Sequence, residues 1–385
     1  MGDLFAGLYA RGEAAALVSG DAWLAAMLEV EAALARACAA AQLIPPQAAQ
    51  RIAEACAPAR FDLRTLAREA AQHATPVVPL VAALRAEVGP ELARYVHLGA
   101  TSQDILDTAM MLLAHRVLGA VLSDVRACAR AAAALADRHR ATAMSGRTLL
   151  QQALPTSFGL RAAGWLAALC EASADLTRVR ERVLAAQMGG PVGTREPRIA
   201  ELVATELGLA QPRLPWHANR VRVASLGGAL GSLCGVLAKI SRDVTLLAQN
   251  EVGELREGGG GERGGSTAMA HKRNPVAAIS TLACARRAPG LVATLLACME
   301  QEHERAAGSW QAEWGTLSEL LALSGSASAW GRDLLEHLEV DEARMAENLA
   351  RLAAAGVREA AEPERHLGAA EQLIDRALAA AGELG

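Results

Sequence analysis

Residues 223–247, VASLGGALGSLCGVLAKISRDVTLL, decide how this chain must be built. Val223, Leu226, Leu230, Leu233, Leu237, Ile240, Val244 and Leu247 recur at alternating spacings of three and four, the 3.5-residue period of a helix that buries one seam along its length. Beside the seam, Gly227, Gly231 and Gly235 form a stripe. An interior glycine costs a helix about 1 kcal/mol, so close approach of a neighbouring backbone is the compensation to expect. Nothing breaks the pattern from about His217 to Val252, a rod of roughly 54 Å at 1.5 Å per residue. The pattern predicts a helix at the centre of a bundle, with seam and glycine stripe packed against other copies of the chain.

Composition agrees. The chain is 52% hydrophobic but only 3% aromatic, so its core must be made of Ala, Leu and Val, which suits close helix packing and predicts an all-α fold of long bundled helices. The 38 basic residues are offset by 42 acidic ones, which argues against a nucleic-acid surface and leaves room only for a local basic site. The longest charge-free apolar run, Val223 to Ala238, is interrupted by glycines and shorter than the ~18–20 residues that cross a bilayer. No membrane span is predicted. Asp3 comes early, with no basic stretch ahead of an apolar run, so a secretory signal is not expected. The seven cysteines show no CxxC spacing and read as reduced core thiols of a cytoplasmic protein. HExxH, GxxxxGK[ST] and a strand followed by GxGxxG do not occur, so the sequence supports neither a metal site nor a nucleotide or dinucleotide cofactor.

Helical periodicity divides the chain into an N-terminal helical domain, 1–104, a long-helix domain, 105–340, and a short helical tail, 341–385. Polar islands interrupt it at 97–103 (His97, Thr101, Ser102, Gln103), 147–152 (Arg147, Thr148, Gln151), 216–220 (His217, Arg220) and 258–274. The last, with its following proline, reads GGGGERGGSTAMAHKRNP over 258–275. So dense a glycine run cannot continue a helix and should move as a flap. Pro275 suits the first position of a new helix with Asn274 as N-cap, and such a helix start behind Lys272 and Arg273 attracts anions. A solvated basic linker accounts for the composition equally well, and Thr101 or Ser102 fits an ordinary N-cap. In an antiparallel bundle, islands at helix ends can converge on one site.

The flap resembles the G-S-S-x-M-P-x-K-x-N signature of the fumarase/aspartase superfamily. Gly265, Ser266, Thr267, Met269, Lys272, Asn274 and Pro275 match in register, with Thr for the second Ser and Ala270 for the usual Pro. GATSQDILDT at 99–108, GRTLLQQALPTSFG at 146–159 and QNEVGEL at 249–255 follow the family's order. HLGATSQD, LLQQALP, PWHANR and AHKRNP are most similar to its lactonising branch, which interconverts 3-carboxy-cis,cis-muconate and a carboxymuconolactone. The resemblance implies a homotetramer around a twenty-helix core, active sites shared between subunits, a di- or tricarboxylate substrate and no cofactor. It implies Ser266 as the base that removes a proton alpha to a carboxylate, with Lys272 and Asn274 stabilising the resulting aci-carboxylate. Thr101, Ser102 and Gln103 would hold a second carboxylate. His97, Arg147, His217 and Arg220 are candidates for the remaining charge, and Thr148, Gln151, Thr267 and Met269 complete the binding set. Many relatives carry His after the Thr of the second motif, as the acid that protonates the leaving group; here it is Leu149. A carboxylate leaving group needs no such proton. Two other readings stay open: a related lyase that expels a good leaving group from a succinyl-type substrate, and a catalytically silent helical scaffold.

Overall fold

The computed structural model describes residues 3–260, 263–269 and 271–382. After two short helical turns, Ala6–Tyr9 and Ala14–Leu17, come α1 (Gly20–Ala40), α2 (Pro46–Ala55), α3 (Leu63–His73) and α4 (Val77–Val88). Then come α5 (Ser102–Arg138), the strands β1 (Ala143–Thr148) and β2 (Gln151–Ser157), α6 (Phe158–Arg178), the short α7 (Pro197–Leu207) and α8 (Val221–Leu247). Strand β3 (Leu255–Glu257) leads to the flap; α9 (Val276–Ala297), α10 (Ser309–Glu336), β4 (Leu338–Val340), α11 (Glu342–Ala354) and α12 (Ala370–Gly382) complete the chain. Helices α5, α6, α8, α9 and α10 pack side by side, and one continuous apolar core runs from Ala14 to Ile374.

The expectation of helices alone needs correcting at two places. The island at 147–152 is the end of a β-hairpin, β1 against β2 with a bulge between Ser145 and Arg147, and β3 pairs with β4. The tail also packs closely: α11 lies against β1 and α12 against α6, with Arg140 bonded to Asp375 at 2.6 Å.

Helix α8 forms as its period predicts, but the seam closes within one chain. All eight seam residues are at most 3% exposed without any second copy. The glycine stripe divides between two jobs. A Cβ on Gly227 would stand 2.9 Å from Leu295, and one on Gly231 2.9 Å from Val292, both on α9 of the same chain. Gly235 has nothing within 4 Å and faces outward. Gly227 and Gly231 therefore admit α9 at close range, while Gly235 leaves the helix surface open.

Helices α5 and α8 are long and apolar enough to cross a membrane by length and hydropathy, because such a window tolerates isolated charges that end a charge-free run. In the apolar stretches concerned, 78% of the residues of α5 and 50% of those of α8 are buried inside the protein. The seven cysteines are free. Burial pushes the Cys234 thiol up to about 11, which keeps it protonated and unreactive.

Candidate active site

The first island sits on the N-terminus of α5. Thr101 caps the helix, and its N–H donates to Asp104 at 3.1 Å in a capping box. Asp104 is fully buried and its carboxylate also accepts from the N–H groups of Gly189 and Gly190, both at 2.9 Å, and contacts His217 Nε2 at 2.9 Å. It thus ties the 187–190 loop and the 216–220 island to the loop before α5.

Several residues expected to face a substrate are committed to this internal network. Arg220 has no exposed side-chain surface and is gripped by Asp107 at 2.6 Å and by Glu313. Gln103 is buried, donating to Asp107 at 3.1 Å and to the His217 carbonyl at 2.9 Å, and His217 is itself bound to Asp104. These three build the floor beneath the island. Burial raises the Glu313 carboxyl to about 7 against the pull of Arg220, with Asp107 adding to the rise. Burial alone would lower Arg220, but Asp107 and Glu313 outweigh it and hold the guanidinium charged.

Sequence reading missed Arg305, which lies between α9 and α10. Its guanidinium donates to Thr101 Oγ1 at 2.9 Å, Gln103 Oε1 at 3.1 Å and the Pro191 carbonyl at 3.3 Å, which places a half-buried cation over the island. His97 lies at the rim with φ of 61°, and its Nδ1 is 2.6 Å from Glu31 on α1.

The second island is the hairpin tip. Arg147 is engaged by Glu254 through two contacts of 2.7 and 2.9 Å; Glu254 is fully buried and also accepts from Asn348 at 2.8 Å. Arg147 therefore anchors the hairpin to α11 and the loop after α8, rather than presenting a free cation. Thr148 and Gln151 are exposed. Between them Leu149 and Leu150 are 97% and 76% exposed, with φ of 49° and 65°. Two left-handed leucines occupy a turn that Asn-Gly would form without strain, and they hold their apolar side chains out from the chain.

The fourth island is the flap, whose residues Gly261, Glu262 and Ala270 lie outside the described ones. Ser266 Oγ accepts hydrogen bonds from the N–H groups of Ala268 and Met269, at 3.3 and 3.2 Å. Two donors on one hydroxyl oxygen favour its anionic form. Asn274 donates from its backbone and its side chain to the Gly264 carbonyl, at 2.8 and 3.0 Å. Gly264 has φ of 72°, and a Cβ there would sit 2.2 Å from the Asn274 carbonyl oxygen, so only glycine fits this closure. Thr267, Met269 and Lys272 are exposed.

The expected anion site at the following helix is already filled. Pro275 is the cap and α9 begins at Val276, and the carboxylate of Glu257 accepts from the N–H groups of Ala277 and Ala278 at 2.9 and 2.8 Å. Glu257 also pairs with Arg263 at 3.2 Å. An internal carboxylate thus satisfies the positive end of α9 and fixes the feet of the flap. Among the described residues, no hydrogen bond or ion pair joins side chains of 97–103, 147–151 and 264–274 to one another.

A family model described as Lyase matches residues 12–290. The 3-carboxy-cis,cis-muconate cycloisomerase of Bradyrhizobium diazoefficiens is 48% identical over 332 residues, 84% of this chain and 74% of the relative. The nitrosuccinate lyase of Streptomyces davaonensis is 45% identical over 351 residues, 87% of this chain and 74% of the relative. Among solved structures, the 3-carboxy-cis,cis-muconate lactonizing enzyme from Pseudomonas putida matches with a TM-score of 0.90 and 33% identity across 100% of both chains.

Proposed function

The chain belongs to the lyase family of the fumarase/aspartase type, and from that premise we propose that it is a cycloisomerase interconverting 3-carboxy-cis,cis-muconate and a carboxymuconolactone. The observation that carries this reading is the Ser266 oxygen with two backbone N–H groups aimed at it. In the ring-opening direction Ser266 takes the proton alpha to a carboxylate, and the pair of electrons left on carbon is held as an aci-carboxylate. Collapse of that dianion forms the alkene and breaks the lactone C–O bond, and the ring oxygen departs as a carboxylate. Lactonisation runs the same steps backwards, Ser266 returning the proton. Lys272 and Asn274 supply preorganised charge and hydrogen bonds to the intermediate, while Thr101, Ser102, Thr148, Gln151 and Thr267 hold the carboxylates, with His97 and Met269 lining the site.

Leu149 favours this branch over amine or water elimination, because a carboxylate leaves without being protonated. Identity of 45% to a nitrosuccinate lyase supports a second reading, a succinyl-type substrate that loses a good leaving group. A panel separates them: loss of diene absorbance with muconates but no turnover of substituted succinates is the expected result, and the reverse selects the second reading. Leu149→His is expected to leave the rate on muconate unchanged or lower. A large acceleration would mean that leaving-group protonation is limiting.

The working unit in this reading is a homotetramer with sites shared between subunits. Support comes from the lack, among the described residues, of any side-chain hydrogen bond or ion pair joining the 97–103, 147–151 and 264–274 stretches within one chain, from the bare leucine tip, and from the uncovered side of α8. There Gly228, Ser232, Gly235, Lys239 and Arg242 are exposed at spacings of three and four. They run beside α9, where Ile279 is 47% and Leu296 51% exposed. A groove of about 410 Å³ lies between the two helices, lined by Gly235, Ala238, Leu282 and Pro289 among others. Filling it with Gly235→Leu is expected to disrupt assembly while the isolated chain stays folded, since a Cβ there would meet nothing within 4 Å beyond the adjoining turns of α8. Gly231→Leu instead meets Val292 and lowers the melting temperature of the chain itself. Sedimentation and thermal unfolding of the two variants check the contrast; a Gly235→Leu tetramer as stable as wild type sinks it.

A further inference from the structure

Glu31 belongs to none of the motifs that point to the reaction, yet its placement is unusual for a residue in the middle of an Ala-rich helix. Its side chain has no exposed surface, its one ion-pair contact among the described residues is His97 Nδ1 at 2.6 Å, and its second oxygen, Oε2, is buried without a hydrogen-bond partner. A carboxylate held in that way is expensive, and an apolar side chain would serve packing better. The histidine it touches carries a second departure, a left-handed backbone with φ of 61°, which strains a non-glycine residue. Two unfavourable features meet at one contact, beside the loop that leads into Thr101.

We propose that Glu31 is the positioning residue for His97. Its carboxylate accepts the hydrogen on Nδ1, and so leaves Nε2 as the one open ring nitrogen, an acceptor for a hydrogen carried by the substrate or by a water beside it. The ring is 14% exposed, and Nε2 makes no hydrogen bond among the described residues. Which nitrogen of an imidazole carries the hydrogen is set by the partner of the other, and a carboxylate behind a histidine fixes both tautomer and ring orientation. The surroundings leave the pair free to do this. Arg195, from the loop after α6, donates to Cys38 at 3.3 Å, and its Nη1 is buried without a partner. Arg85 on α4 donates to the Val96 carbonyl at 3.4 Å, and Arg305 is engaged with Thr101 and Gln103. None of these cations pairs with Glu31, so the negative charge acts on His97. The role in substrate binding rests on the carboxylate-lyase reading above; the tautomer does not.

Nitrogen-15 spectra of the full-length protein labelled in histidine test it, with His97→Gln identifying the resonances. In the wild type, His97 is expected to carry hydrogen on Nδ1, and Glu31→Gln to shift it toward a mixture of tautomers. A wild-type ring protonated only on Nε2 overturns the proposal with no variant needed. In kinetics on whichever carboxylate the wild type turns over, Glu31→Gln should raise KM about tenfold with a smaller change in kcat, and should add nothing in a His97→Gln background. Additive losses in the double variant, or an unshifted tautomer in Glu31→Gln, reduce Glu31 to a structural residue. Absence of turnover on the whole panel would sink the functional reading instead, and would leave the tautomer result standing.

Discussion

Ser266→Ala abolishes turnover while the protein keeps its fold. Positioned proton transfer contributes about 10²–10⁴-fold to a rate, and Ser266 is the only base proposed for this carbon acid. Among the described residues its hydroxyl is bonded to the N–H groups of Ala268 and Met269 alone, two and three residues on, so the melting temperature should stay close to that of the wild type. Lys272→Met is expected to lose a comparable amount for a different reason. It leaves the basic group intact and removes charge from the dianionic intermediate, a loss of several kcal/mol when the site is closed to water. Steady-state rates on the preferred muconate, measured beside thermal unfolding, check both. A Ser266→Ala enzyme within about threefold of wild type would remove the base from the mechanism.

Arg220→Met produces the largest loss of stability. The arginine is wholly buried between Asp107 and Glu313, on α5 and α10. Deleting it leaves two carboxylates facing each other without a cation, and breaking a buried pair in this way costs about 3–5 kcal/mol. The deficit should depend on pH. Burial already raises Glu313 from its ordinary value of 4.5 to about 7, so between those values the folded chain retains a proton that the unfolded chain releases. For this group, then, stability falls as pH rises from about 4.5 to 7 and is lowest above that window. Without Arg220 protonation is favoured further, so the variant's deficit should grow as pH rises through and above 7 and level off below it. Denaturant unfolding across that range provides the measurement. A deficit below about 1 kcal/mol, or one independent of pH, would show that the three side chains are not coupled as their contacts imply.

The long helices and the order of the islands could be read from local pattern because period and punctuation are local properties. The seam at Val223–Leu247 states its own burial, and GGSTAMAHKRNP states its own chemistry. What the sequence hid was pairing at a distance. Arg147 and Arg220 resemble ligands for a polyanion until Glu254, Asp107 and Glu313 are found against them, about a hundred residues away along the chain. Arg305 and Glu31 went unnoticed for the same reason: one sits in an undistinguished loop, the other in an alanine-rich helix, and each gains meaning only from its neighbour. The hairpin escaped because its turn is Leu-Leu where Asn-Gly is expected, and because Pro155 within β2 and the bulge at Ser145 obscure the alternation of a strand.

The hairpin tip also bears on how such a chain diversifies. Leu149 touches almost nothing of its own fold, since its side chain stands 97% exposed, and the turn that presents it is anchored through Arg147 and Glu254 further down. Exchanging it therefore asks little of folding, while altering the side chain offered at the end most remote from the core. A side chain held in that way can be exchanged without disturbing the core that carries the fold.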